Sequence, residues 1–148
     1  MTPSAYQLRP ACPADHAFLW HLKQQAMRIY VEKTWHRWID EEQKEWFARN
    51  FFPEKTEVIV VDGRDAGRLE VVRSSKELIL ATIEISPEFQ SRGIGAALVR
   101  DLQTEAKSAS LPLRLQVLKA NPRARQLYQR LDFRTIGETY THHLMSWP

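Results

Sequence analysis

Cysteine is almost missing from this sequence: Cys12 is the one example in 148 residues. No internal disulfide can form, so the chain suits a reducing compartment. A lone cysteine near the start of a chain is also a poor basis for nucleophilic chemistry. No apolar run approaches about 18 residues, which excludes a membrane-spanning helix and a membrane partner. The opening residues, Met1 to Trp20, have neither the basic start nor the apolar centre of a secretory signal. A cytoplasmic location is therefore expected. Cysteine and histidine do not cluster at zinc spacing, so no metal site is expected. Strong charge of one sign is missing too. The net charge is +3, and no basic stripe interleaves with aromatics. That excludes nucleic acid as the expected partner, while a phosphate-bearing ligand would still suit the chain.

What is present is ordinary. A hydrophobic fraction of 43% beside a charged fraction of 26% marks a globular protein. The length favours one domain, residues 1–148, with a real core. Tyr6 to Arg9 reads as a short strand. Pro13 to about Tyr30 reads as a helix, with Ala17, Trp20, His21, Gln24, Met27 and Tyr30 at helical spacing. Asp40 to Asn50 reads as a second helix with acids in its first turn. Beyond Pro53 the pattern turns to strands: Val58–Val61, Gly67–Arg73 and Glu77–Ile85, separated by turns at Asp62-Gly63 and Ser74-Ser75-Lys76. Ile94 to Ala109 is helical, Leu113 to Leu118 alternates as a strand, and Pro122 to Leu131 is a helix capped by Asn121. Phe133 to Met145 is β-rich. The fold class is thus α/β with a mixed sheet. An antiparallel meander leads into one strand–helix–strand unit, whose two strands must run parallel with a right-handed crossover.

Glycine is the second scarce residue. There are five, and two of them, Gly93 and Gly95, fall in the turn between Ile85 and the helix that starts at Ile94. The first amides of a helix have no partner within it, and with the helix dipole they form an anion site. Bare glycines let a phosphate come close to the main chain, and Arg92 adds positive charge. An ATP-binding loop would need Lys-Ser or Lys-Thr after the second glycine, and none follows Gly95. A dinucleotide fingerprint would need a third glycine where Leu98 stands. A tight turn whose glycines serve packing alone is the remaining alternative.

Gln90-Ser91-Arg92-Gly93-Ile94-Gly95 matches the Gln/Arg-x-x-Gly-x-Gly/Ala signature of the GNAT family of acetyl-CoA-dependent N-acetyltransferases. The stretch "IEISPEFQSRGIGAALV" resembles that family's fourth strand, pyrophosphate loop and following helix. "LRLQVLKANPRARQLYQRLDF" resembles its fifth strand and last helix, including Asn121, Ala124, Tyr128 and Phe133. The resemblance covers roughly residues 77 to 135. Asp132 stands where the family usually has glycine. The resemblance implies a GNAT-like fold: a central, mostly antiparallel sheet with one parallel strand pair and about four flanking helices. It also implies an acyltransferase that moves the acetyl group of acetyl-CoA to a primary amine of a small molecule or peptide by direct attack on the thioester. Relatives are often dimers, so a homodimer is an expectation by analogy.

On that resemblance, Gln90, Ser91, Arg92, Gly93, Ile94, Gly95 and Ala96 would take the pyrophosphate of coenzyme A. Main-chain groups from Ile83 to Ile85 would hold the pantetheine arm, and Asn121 would contact the cofactor from the far side. An N–H near Ile85 would face the developing oxyanion. On helical spacing alone Tyr128 reads rather as a core aromatic beside Ala124, Leu127 and Leu131; the resemblance turns the reading to the family's usual acid, which it matches. Glu84, between Ile83 and Ile85, is the first choice of base, and burial there would raise its pKa toward a useful range. The alternative for Glu84 is an exposed strand glutamate. Glu70 is the second choice. Gln116 falls where some relatives carry a glutamate, and an amide cannot take a proton. Trp35 and Trp38, in a segment that also holds His36 and Trp46, are the candidates for the acceptor site, where aromatic faces could cage a cationic amine. The alternative is that these tryptophans are core and rim of two amphipathic helices. His142 and His143 are neighbours on the last strand, so only one can point inward. Two competing functions stay open: a coenzyme A-binding regulatory module without chemistry, and a nucleotide binder of another kind.

Overall fold

The structure is a computed structural model that describes residues 6–148. Its strands are β1 (Gln7–Pro10), β2 (Glu57–Val61), β3 (Arg64–Arg73), β4 (Leu78–Ile85), β5 (Leu113–Leu118), β6 (Arg134–Glu138) and β7 (His142–Trp147). Its helices are α1 (His16–Trp35), α2 (Asp40–Asn50), α3 (Ile94–Ala109) and α4 (Pro122–Arg130). The strands form one sheet in the order β1-β2-β3-β4-β5-β7-β6, and β4–β5 is its parallel pair.

Local chemistry explains the meander. Asp62 and Gly63 both adopt positive φ, 52° and 75°, which is the two-residue turn that suits the twist of a hairpin. β2 and β3 then pair antiparallel, as do β3 and β4. The parallel pair is brief. Leu78, Ile79 and Leu80 register with Leu113, Arg114 and Leu115, and there the pairing stops. β4 runs on to Ile85 while β5 turns away with β7, which stays paired with it through Leu118. The two parallel strands therefore part like the arms of a V.

The main core lies between the sheet and α3 and α4, with Leu98, Val99 and Leu102 packed against Leu80, Leu113 and Met145. A smaller cluster of Leu19, Leu22 and Phe47 joins α1 to α2, and α1 packs on β3 and β4. The register with β3 shifts between Leu80 and Thr82 and leaves Ala81 unpaired, so alternation restarts beyond it. Ile83 and Ile85 thus join Leu80 at the main core, and Glu84 points to the opposite face.

Two expectations about the first helix need correction. The first helix does not stop near Tyr30 but runs to Trp35, where His36 in the left-handed region ends it. Its inward residues are Leu19, Leu22, Lys23 and Val31, whereas Ala17 and His21 are exposed. Apolar residues occur around the whole helix, so spacing alone fits more than one face. The β-rich tail is two strands, and the later one, β7, inserts beside β5 and leaves β6 at the edge. Asp132, in the glycine position of the family, takes a left-handed φ of 70°, a conformation aspartate tolerates better than most residues.

Candidate functional site

Two cavities occupy the gap where β4 leaves β5. The first, about 730 Å³, runs along the α3 side past Gln90, Gly93, Gly95, Ala96 and Arg123. The second, about 890 Å³, lies on the α1–α2 side and is walled by Lys23, Trp35, Trp46, Arg68, Gln116 and His142. Six residues line both: Met27, Ile83, Glu84, Asn121, Ala124 and Tyr128. The cavities meet there.

The α3 side has the groups that could hold an anion. Gly93 is the N-cap of α3 with φ 80°, and no side chain caps the helix. Ala97 N–H makes the first bond back, to the Gly93 carbonyl at 3.0 Å. The amides of Ile94, Gly95 and Ala96 are left at the open helix end. Ser91 also holds a positive φ of 61°, and its hydroxyl accepts from Arg123 Nη2 at 2.9 Å. The turn is thereby tied to α4. Gln90 Nε2 donates to the Ile85 carbonyl at 2.9 Å, so Gln90 braces the turn against β4. Arg92 does not line the cavity; its guanidinium lies 5.1 Å over the Phe89 ring. The cations that do line it are Arg100, Arg123 and Arg130, which sequence reasoning missed. Arg123, two residues past Asn121 in the matched motif, was the readable one of the three.

The main chain of β4 supplies the other half. Ser86 N–H donates to the Ala66 carbonyl at 2.8 Å, so residue 86 faces β3. Antiparallel alternation then turns the main-chain groups of Ile85 and Ile83 toward the gap. The Ile85 carbonyl is taken by Gln90, and the Ile85 N–H is turned to the side of the α3 cavity, which Ile85 lines. On the far wall, Asn121 accepts from Ala124 N–H at 3.2 Å as the cap of α4.

Glu84 is 7% exposed and is not a surface glutamate. Its Oε1 has no hydrogen-bond partner, and its nearest cation is Arg68 Nε at 3.8 Å. Burial pushes its carboxyl above the ordinary value, while Arg68 and Lys23 pull it back and Glu70 adds to the rise. Glu70, the second candidate base, lines neither cavity: it faces Arg68 at 3.4 Å and accepts from the Thr56 hydroxyl at 3.2 Å. Tyr128 is buried, meets Phe133 edge to face at 5.7 Å, and lines both cavities. It is thus both core aromatic and site residue. Burial pushes its phenol up to about 12.

On the α1–α2 side, Trp35 lines the cavity and Trp38 does not. Trp38 stacks on Trp20 at 6.1 Å and carries the Arg28 guanidinium at 5.7 Å. Lys23, which sequence reasoning missed, is 9% exposed, and its ammonium sits 3.8 Å over the Trp46 ring. Burial pulls it down to about 8, with Glu84 opposing the fall and Arg68 adding to it. His142 points into the same cavity, and burial lowers its imidazole. The neighbouring His143 lines neither cavity.

A family model described as "Acetyltransferase (GNAT) domain" matches residues 19–147. Among solved structures, an acetyltransferase from Thermus thermophilus has a TM-score of 0.75 at 16% identity, covering 100% of this chain and 99% of its own. The PaiA N-acetyltransferase of Thermoplasma acidophilum, in complex with coenzyme A, has a TM-score of 0.73 at 16% identity and covers 96% and 98%. The ribosomal-protein-S18-alanine N-acetyltransferase of Escherichia coli has 0.67 at 22% identity and covers 97% and 94%. No curated protein sequence matches significantly. At these identities the structures show a shared fold, and with the matched domain they establish that this chain belongs to the GNAT acetyltransferase family.

Proposed function

We propose that the chain transfers the acetyl group of acetyl-CoA to a primary amine of a small molecule or peptide, by direct attack on the thioester. The observation that carries this reading is the meeting of two cavities at Glu84 and Tyr128, where β4 parts from β5. The residues present fit coenzyme A: open amides at the start of α3, three arginines along the cleft, and unpaired main-chain groups on β4. When bound, acetyl-CoA supplies an activated acyl carbon and a thiolate leaving group.

The chain's own residues divide the work. The amides of Ile94 to Ala96 grip the pyrophosphate, and Arg100, Arg123 and Arg130 neutralise phosphate charge. The open strand edge at Ile83 and Ile85 pairs with the pantetheine amides. Ile85 N–H faces the carbonyl oxygen as negative charge grows there, a contact worth about 3 kcal/mol at the transition state. A lysine-like amine has a pKa of about 10.4 and arrives as ammonium. Glu84 takes a proton from the acceptor nitrogen, directly or through one water. Tyr128 stays protonated at neutral pH. Giving its proton outright to a thiolate with a pKa near ~8.5 would run uphill by about 5 kcal/mol. Tyr128 therefore donates a hydrogen bond to the departing sulfur, and the proton that balances the sulfur comes from the acceptor nitrogen. Gln116 lines the acceptor cavity but has no part in proton transfer.

The test is free-thiol release from acetyl-CoA with a broad panel of primary amines. Release that depends on both amine and Glu84 supports the reading. No release above background across the panel, with coenzyme A bound, would leave a binding module in its place.

A further inference from the structure

The acceptor cavity holds a charge that the reaction does not use. Lys23 projects from α1 between Trp46 of α2 and Glu84 of β4, and it lines the acceptor cavity but not the cofactor cleft. No carboxylate among the described residues lies within 4.0 Å of its ammonium; the Trp46 face is its partner. Burying a lysine without a counter-ion is costly, and an apolar residue of the same length would pack the wall better. The other cations of this wall each have a carboxylate close by. Arg68 has Glu70 at 3.4 Å and Glu84 at 3.8 Å. Arg37 is bound by Glu42 at 2.7 Å, and at the rim Arg49 and Glu45 offset each other in sign. With Glu70 and Glu84 counted against Arg68 and Lys23 the charges sum to zero, but both carboxylates contact Arg68, and Lys23 is the cation with no direct carboxylate contact.

That unmet contact bears on what enters. Of the two tryptophans that line the cavity, Trp46 already carries the Lys23 ammonium, so that face cannot cage a second cation. An acceptor with an ammonium alone would meet Lys23 as a like charge. One that also carries a carboxylate would place its amine at Glu84 and its anion on Lys23, and every buried charge would then be paired. We propose that Lys23 is the counter-ion for a carboxylate on the acceptor, so that the acceptor class is an amine that also bears a carboxylate. This rests on the acetyl-transfer reading above and adds the substrate class.

The experiment compares ω-amino acids of graded length with their carboxamides, as acceptors for the wild-type protein, Lys23→Met and Lys23→Arg. Coenzyme A affinity, measured by calorimetry, reports whether each variant is intact, because Lys23 is not in the cofactor cleft. The expected result is a kcat/KM preference of about 10-fold or more for one carboxylate over its amide. That ratio should collapse toward one in Lys23→Met and return in part in Lys23→Arg. Equal use of acids and amides by the wild type overturns the proposal while leaving acetyl transfer intact, as does a preference that survives in Lys23→Met. If coenzyme A binds and nothing is acetylated, the transfer reading fails instead. Calorimetry of the same amino acids against the coenzyme A-loaded protein then decides the proposal: a Lys23-dependent preference for the acid supports it, and none overturns it.

Discussion

In the proposed reaction Glu84 is the base, and its burial would set a pH dependence. Its folded-state pKa lies above 4.5, so the active carboxylate is lost as pH falls through that raised value. The acid limb of kcat/KM should therefore lie above the ordinary carboxylate range. In Glu84→Gln it should vanish along with about 100-fold or more of the activity, and steady-state rates over a pH series check this. Lys23 makes a separate prediction about stability. Its ammonium falls from 10.5 to about 8 on folding, so the folded protein holds that proton less tightly than the unfolded chain. Below pH 8 the buried charge costs about 2 kcal/mol, after allowance for solvent that reaches the cavity. The penalty fades as pH rises from about 8 toward 10.5. Lys23→Met should accordingly raise Tm by about 4–8 °C at pH 7 and by much less near pH 10, which calorimetry can follow. Loss of function with gain of stability is the signature of a functional buried charge. The sequence singled out Glu84 from its place between Ile83 and Ile85 ahead of the glycine turn, but left open whether it is buried or exposed. It could not place Lys23, whose burial depends on α2 and β3 closing over a helix face that spacing did not single out.

The parting of β4 from β5 creates the site at the level of the elements, and one close contact beside it is invisible in sequence. A Cβ added at Gly67 of β3 would lie 2.4 Å from the Glu84 carbonyl oxygen, a main-chain atom that cannot swing aside. Gly67→Ala should therefore push β4 at the residue that carries the base. It should lower stability by about 1–3 kcal/mol and reduce kcat more than coenzyme A affinity, as read by denaturation and kinetics together. Gly93 differs in kind. Its φ of 80° makes any side chain there strained by roughly 1–2 kcal/mol, and a branched one would also crowd the open amides of α3. Gly93→Val should still fold with reduced stability and lose coenzyme A binding, measured by calorimetry at a temperature where both proteins are folded. The strand–turn–helix of this region was legible from two glycines, a proline and helical spacing. The order β5-β7-β6 was not, since it reflects which tail strand reaches β5, a tertiary choice that period-2 patterning does not encode. Trp38 failed as a site residue for the same reason: it stacks on Trp20, a contact set by the α1–α2 angle.

The molecule as a whole opens its two cavities on opposite faces of one sheet. On the proposed reading the α3–α4 side takes the anion and the α1–α2 side the acceptor, and the V between β4 and β5 joins them. Coenzyme A bridging several elements should stabilise the entire fold. At about 100 times its Kd the gain is ~2.7 kcal/mol, or roughly 5–10 °C in Tm for a chain of this size. ATP and NAD should give far less at equal concentration in a thermal-shift series. The most direct measurement of the central claim is residue-resolved amide hydrogen exchange with and without coenzyme A. The account predicts that the amides of Ile94, Gly95 and Ala96, together with Ile83 and Ile85, slow by about 10-fold or more when the ligand is added. Binding that leaves those five amides exchanging at their free rates would contradict it.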